Sequence, residues 1–206
     1  MTASSILHIV AAPWQLQGRG AVIPIWQSSK RRMGLLIVAD YQQSDAGPYQ
    51  ELLWIDDLRR GVVDGHPTIS KIYVSTQLSV DSGHANWGIP KQLGRFKLDQ
   101  QAQQLTLSVR TPQHDFVASL CMRAYGPAFR INSRWLPTAW LTLVQDWAGS
   151  RFRFTPQARG MARLARVPVW ALDAVHFTQP SGRVLGALLI DDFQMSFPVA
   201  HIQPIP

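Results

Sequence analysis

Short apolar runs, each soon closed off by glycine, proline or a polar turn, constrain this chain more than any other feature. Fourteen glycines and fourteen prolines are spread over its 206 residues. A backbone broken this often favours strands and turns over long helices. Ala21–Trp26 and Gly34–Tyr41 read as two strands joined by a polar hairpin connection, Ser-Ser-Lys-Arg-Arg-Met-Gly. Tyr49–Leu58 follows the break Ser-Asp-Ala-Gly-Pro, and Ile69–Val80 carries β-branched and aromatic residues in partial alternation. Gln103–Arg110 and His114–Tyr125 flank Thr-Pro-Gln, another hairpin signal. Strand-like runs continue to the C-terminal region. Helical candidates are few. Pro90 suits a first helical position, although Gly94 would soon weaken such a helix, and Arg134–Gly149 has an ambiguous period that fits one helix from near Pro137 or two strands. No repeat, heptad or long linker divides the chain. The fold expected is mainly β: curved antiparallel sheets in one domain over residues 1–206, closed or cone-like around an internal cavity, with a few short helices.

Composition adds to this. Charged residues make up only 16% of the chain, against about 25% in an average soluble protein, while eight residues are tryptophan. So few charges with so many aromatics point to extra hidden surface, in a pocket or an oligomer interface, and a homo-oligomer is expected. The formal charge of +7 raises the question of nucleic acid. In Arg151-Phe152-Arg153-Phe154, however, strand geometry sends arginines to one face and phenylalanines to the other. An RNA-binding sheet exposes the two together, so nucleic acid is not expected as a partner. Cys121 is the sole cysteine, which rules out an internal disulfide, and it reads as an inert core thiol. The first residues lack a basic leader, and no apolar run approaches the ~20 residues of a membrane helix. A cytoplasmic protein without membrane contact is expected.

Signatures for common chemistries are absent. The six histidines are scattered without metal-ligand spacing, and no phosphate-binding glycine loop or nucleophile elbow occurs. The pairs Asp56–Asp57 and Asp191–Asp192 are strand neighbours that face opposite sides, so they read as edge or turn charges. No metal and no cofactor is expected. Three segments remain: Pro-Trp-Gln-Leu-Gln-Gly-Arg-Gly with Arg19, Gly-Pro-Tyr-Gln-Glu with Tyr49 and Glu51, and Gly-His-Ala-Asn-Trp-Gly-Ile-Pro-Lys-Gln-Leu-Gly with Lys91.

In this order the three segments resemble the acetoacetate decarboxylase superfamily. Its members carry an arginine before the first long strand, then Gly-x-Tyr-x-Glu, then a proline followed by the reactive lysine. The resemblance runs from about Trp14 to Phe96 and then thins to strand-rich character and a late Phe-Pro. It implies a β-barrel with an internal cavity and a lyase using a lysine imine on a small keto acid or carbonyl compound. Lys91 would be the nucleophile, Glu51 would handle protons or orient substrate, and Arg19 would hold a carboxylate or set the local charge. Tyr49, His84, Trp87 and Gln92 would border the pocket. An ordinary lysine, with a pKa near 10.4, is only roughly 0.04% neutral at pH 7. The site must therefore lower that pKa by burial or a neighbouring cation, a device for which acetoacetate decarboxylase is a standard example. Family decarboxylases put a second lysine after the nucleophile, and here Gln92 stands there. His84 replaces an arginine and Ala85 a glutamate. Burial is then the main means left, and the implied reactions widen to aldol addition with dehydration or retro-aldol cleavage. A non-catalytic module that keeps the pocket for a small-molecule ligand is the alternative.

Overall fold

The computed structural model describes residues 8–27, 32–58, 61–177 and 182–205. The first half of the chain runs β1 (Trp14–Gln27), β2 (Arg32–Gln43), β3 (Tyr49–Asp56), β4 (Thr68–Val74), α1 (Gln77–Trp87), β5 (Lys91–Leu93), β6 (Arg95–Gln101) and β7 (Gln104–Arg110). The second half runs β8 (Phe116–Asn132), a 3-10 turn (Ser133–Trp135), α2 (Thr138–Leu141), β9 (Leu143–Trp147), β10 (Ser150–Phe154), β11 (Gln157–Leu172), β12 (Arg183–Val184), β13 (Leu188–Phe197) and β14 (His201–Pro204).

One large sheet has the order β5-β4-β3-β2-β1-β13-β11-β8-β7-β6, with β12 also paired to β1. Its two outermost strands, β5 and β6, are consecutive in the chain with only Gly94 between them. The sheet therefore curls until its edges meet, and forms the expected, nearly closed barrel-like structure. A second sheet, β14-β10-β9, packs beside it. The strand alternation of β1, β2 and β3 supplies two apolar faces. Ile23, Leu36, Leu52 and Trp54 pack with Leu105, Val109 and Met122 on one side. Tyr41, Tyr49, Leu53 and Ile55 pack with Ile69, Trp87 and Phe193 on the other, and the candidate site lies there.

One pairing is parallel. β4 and β5 run side by side, Ile72 opposite Lys91, connected by α1. Parallel neighbours need a crossover of about this length, and this one sets the position of Lys91. Here the structure corrects the expectation of a strand over Ile69–Val80. The strand stops at Val74, and Thr76 caps a helix by accepting from the Ser79 N–H. Gly88 ends the helix in the left-handed region at φ 61°, the conformation glycine adopts most readily. The periodicity was silent because Ser79, Ser82 and Gly83 interrupt the buried face of α1, leaving Val80 and Trp87 as its buried large apolar residues rather than a continuous stripe. A helix beginning at Pro90 is not found either, since Lys91–Leu93 is β5.

Arg134–Gly149 resolves into the 3-10 turn, the four-residue α2 and then β9. Cys121 is only half-buried and lies on the outward face of β8, between buried Leu120 and Met122, so it is not a core thiol. In β10 the alternation holds, with Phe152 and Phe154 buried and Arg151 paired with Asp146. The connection between β1 and β2 includes residues 28–31, which lie outside the described residues.

Candidate active site

Strand alternation sends Tyr49, Glu51 and Leu53 of β3 to one face, together with Tyr41 of the adjoining β2. Lys91, two strands away on β5, extends along the same face beneath α1. Its Nζ lies 3.2 Å from Glu51 Oε2 and donates to Ser79 Oγ at 3.0 Å. The side chains of Lys91 and Glu51 are 4% and 5% exposed. Tyr41 donates its hydroxyl to the other carboxylate oxygen, Oε1, at 3.1 Å. The Nζ also sits 5.1 Å from the Tyr49 ring centre and 5.7 Å from that of Trp14, within range of cation–π attraction.

Taking a lysine and a glutamate out of water costs several kcal/mol per ion, so such a pair is poor evidence of a device for stability. It does shift proton affinities. Burial lowers the Lys91 pKa, and the carboxylate of Glu51 pulls in the opposite direction, with burial prevailing. The hydroxyls of Tyr41 and Tyr49 are pushed well above their ordinary value, chiefly by burial and then by the charge of Glu51. Tyr41 therefore remains a proton donor to the carboxylate. A buried amine of reduced basicity, with a carboxylate in hydrogen-bonding reach, is the arrangement needed to release an ammonium proton and expose a nucleophile.

Gly83 makes room for this amine. A Cβ at position 83 would fall 2.6 Å from Lys91 Cδ and 2.8 Å from Cε, so the lysine stem lies directly against the helix backbone. His84 Nε2, as the N–H donor, bonds the Lys91 carbonyl oxygen at 3.0 Å, while its ring stacks on Trp147 at 4.6 Å. Trp87 is buried, packs edge-on to Trp14, and donates its indole N–H to the Pro198 carbonyl at 2.7 Å. The late Phe-Pro pair thus closes over the site from β13.

The structure brings together Lys91, Glu51, Tyr49 and Trp87. It separates the other expected site residues from them. Arg19 is on the opposite face of the sheet, in the row Arg19–Asp40–Gln50 of β1, β2 and β3. Its guanidinium is bound to Asp40 at 3.0 Å and to the Gln100 carbonyl at 2.8 Å. One residue's shift along a strand reverses the face, and that separates Gly20 and Ala39 beside Glu51 from Arg19 and Asp40 behind it. Gln92 alternates with Lys91 on β5 and is exposed. His84 is a backbone clamp rather than a pocket wall. Sequence reasoning missed Tyr41, Ser79 and Trp14. Tyr41 was legible as the alternate neighbour of Ala39, and Trp14 stood within the Arg19 segment. Ser79 was hidden by the unrecognised helix.

Two cavities meet at this pair. A small one of about 20 Å³, bounded by Lys91, Tyr49, Trp87 and Ile89, has room for about one water. It shares Tyr41, Glu51, Leu53, Ile69 and Phe197 with a cavity of about 440 Å³, within the usual size range of ligand pockets. The larger space is walled by aliphatic and aromatic side chains and capped by Trp135, Leu136, Trp140 and Leu141. Its polar side-chain contributions come mainly from Tyr41, Glu51, Asn132 and Ser133.

The curled, nearly closed sheet defines the structural class, and solved structures share that fold. The chain has the acetoacetate decarboxylase-like fold. Acetoacetate decarboxylase from Legionella pneumophila superposes with a TM-score of 0.65 at 10% identity, covering 94% of this chain and 88% of that one. The enduracididine biosynthesis enzyme MppR with HEPES bound superposes at 0.67 and 9% identity, covering 98% and 91%. MppR complexed with the condensation product of pyruvate and imidazole 4-carboxaldehyde gives 0.66 at 9%, covering 97% and 92%. No family model matches the sequence, and no curated protein does.

Proposed function

We propose that this chain is a lysine-imine enzyme acting on a carbonyl compound. The observation that carries the proposal is the buried Lys91 Nζ, in a small niche, held 3.2 Å from Glu51, which also lines the adjoining 440 Å³ cavity. Glu51 takes the ammonium proton, and the neutral amine adds to the substrate carbonyl carbon. The carbinolamine loses water, with its oxygen protonated as it leaves, and Lys91 becomes a protonated imine. That cation is an electron sink. A bond to the adjacent carbon breaks, its electron pair forms the enamine, and the leaving fragment is a proton, carbon dioxide or a second carbonyl compound. Protonation of the enamine and addition of water return the amine and release product. Tyr41 steadies the carboxylate through its Oε1 hydrogen bond, and the apolar walls keep bulk water from the imine. The neighbours support a carbonyl ligand: one is a decarboxylase, and another was solved with pyruvate.

Every reaction of this class passes through the enamine, so the test need not know the overall reaction. Wild-type protein is expected to catalyse exchange of the α-hydrogens of a ketone with deuterated water, followed by NMR, and Lys91→Met is expected to lose it. Exchange that persists in Lys91→Met would remove the proposal. The ion pair with Glu51 and the bond to Ser79 also favour a second reading, in which the same pocket binds a ligand without chemistry. Under that reading ligand binds but no exchange is seen.

A further inference from the structure

We infer that the substrate is a ketone or aldehyde with an extended alkyl or aryl body, rather than a short polar keto acid. The head-group half of this assignment rests on the imine reading, while the apolar half rests on the cavity alone. At about 30 Å³ per water-sized group, 440 Å³ has room for roughly fifteen such groups. Pyruvate and acetoacetate have fewer than half as many heavy atoms, so either would leave most of the space unfilled. The walls away from Lys91 are mostly carbon, Leu35, Ile37, Ile131, Leu188 and Met195 among them with Trp140 from α2 in the cap, and Asn132 and Ser133 add a minor polar part. Water held there finds few partners, whereas an alkyl chain displaces it favourably. The polar end of the space is the carboxylate of Glu51 with the Tyr41 hydroxyl, at the junction with the Lys91 niche. A second carboxylate placed there would face Glu51, and Arg19, the expected anion holder, is engaged on the far side of the sheet. A neutral carbonyl at the junction, with its body in the larger cavity, matches both ends. In the balanced step, Lys91 adds to that carbonyl and its oxygen departs as water, leaving the body untouched.

The test is a series of methyl ketones from acetone through methyl hexyl ketone to methyl decyl ketone. Binding is read by calorimetry, and adduct formation by borohydride reduction and mass measurement. Affinity is expected to rise about threefold to fourfold per added methylene until the cavity is full. Affinity that is flat or falls with length overturns the assignment, even if acetone or pyruvate is trapped on Lys91. Length-dependent binding with no reducible adduct upholds the cavity assignment and removes the imine reading instead. In Ala158→Trp, which fills the cavity from β11, the ratio of methyl decyl ketone to acetone affinity is expected to collapse. An unchanged ratio in that variant would locate the apolar site elsewhere and overturn the proposal. In Lys91→Gln the length dependence is expected to persist while the adduct vanishes.

Discussion

Replacing Gly83 by alanine tests whether the position of the Lys91 amine, rather than its presence, determines reactivity. The new Cβ would sit 2.6 Å from Lys91 Cδ and 2.8 Å from Cε. Carbon–carbon contacts are comfortable at about 3.5–4.0 Å, so the stem must move by roughly 1 Å. The bonds to Glu51 at 3.2 Å and Ser79 at 3.0 Å cannot both survive such a movement. A displacement of this size at a reacting group costs on the order of 100-fold in rate. Stability changes less, because two effects oppose. Alanine gains about 1 kcal/mol over glycine inside a helix, and overpacking costs about 1–3 kcal/mol. The net loss is at most ~2 kcal/mol, a fall in Tm of no more than about 8 °C in a chain of this size. The assay pairs thermal unfolding with the rate of ketone α-hydrogen exchange. A folded Gly83→Ala protein that exchanges at the wild-type rate would show that the lysine stem has no need of the space over α1.

Four further outcomes follow from the same geometry. Lys91→Met leaves Glu51 buried without its cation and is expected to lose about 3–5 kcal/mol in urea unfolding, with much of it recovered in Lys91→Met combined with Glu51→Gln. Imine formation is expected to rise with pH through an inflection below the ordinary lysine value of 10.5, because burial lowers the Lys91 pKa, and the inflection should move lower still in Glu51→Gln, which removes the opposing charge. Between the folded and unfolded lysine pKa the unfolded chain binds more protons, so stability should rise with pH across that window. Arg19→Ala removes the contacts to Asp40 and Gln100, on the face away from Lys91, and is expected to cost about 1 kcal/mol in unfolding while leaving the exchange rate unchanged.

Strand content was legible because period-two apolar runs bounded by glycine and proline have few other solutions. The pairing of Glu51 with Lys91 was legible only as an order of motifs, since nothing local in either segment says that β3 and β5 flank the same strand. The misplacement of Arg19 has a simple cause. Sequence proximity to a site segment does not fix the face, and one residue along β1 is the difference between Gly20 beside the pair and Arg19 behind it. Helix α1 was illegible for a related reason. Its inner face is small where Gly83 lets the lysine stem lie against it and polar at Ser79 and Ser82, so Val80 and Trp87 alone do not make the apolar stripe by which helices are read. The cavity was legible only as a shortage of charge, because its wall gathers residues from strands as distant as β2 and β13.

Reductive trapping measures directly whether the Lys91 amine is a nucleophile. Wild-type protein incubated with a ketone and borohydride is expected to gain one reduced adduct, mapped by peptide sequencing to Lys91. It should be absent in Lys91→Arg under the same conditions. A protein that binds the ketone yet carries no adduct at Lys91, or carries it equally on other lysines, would contradict the account.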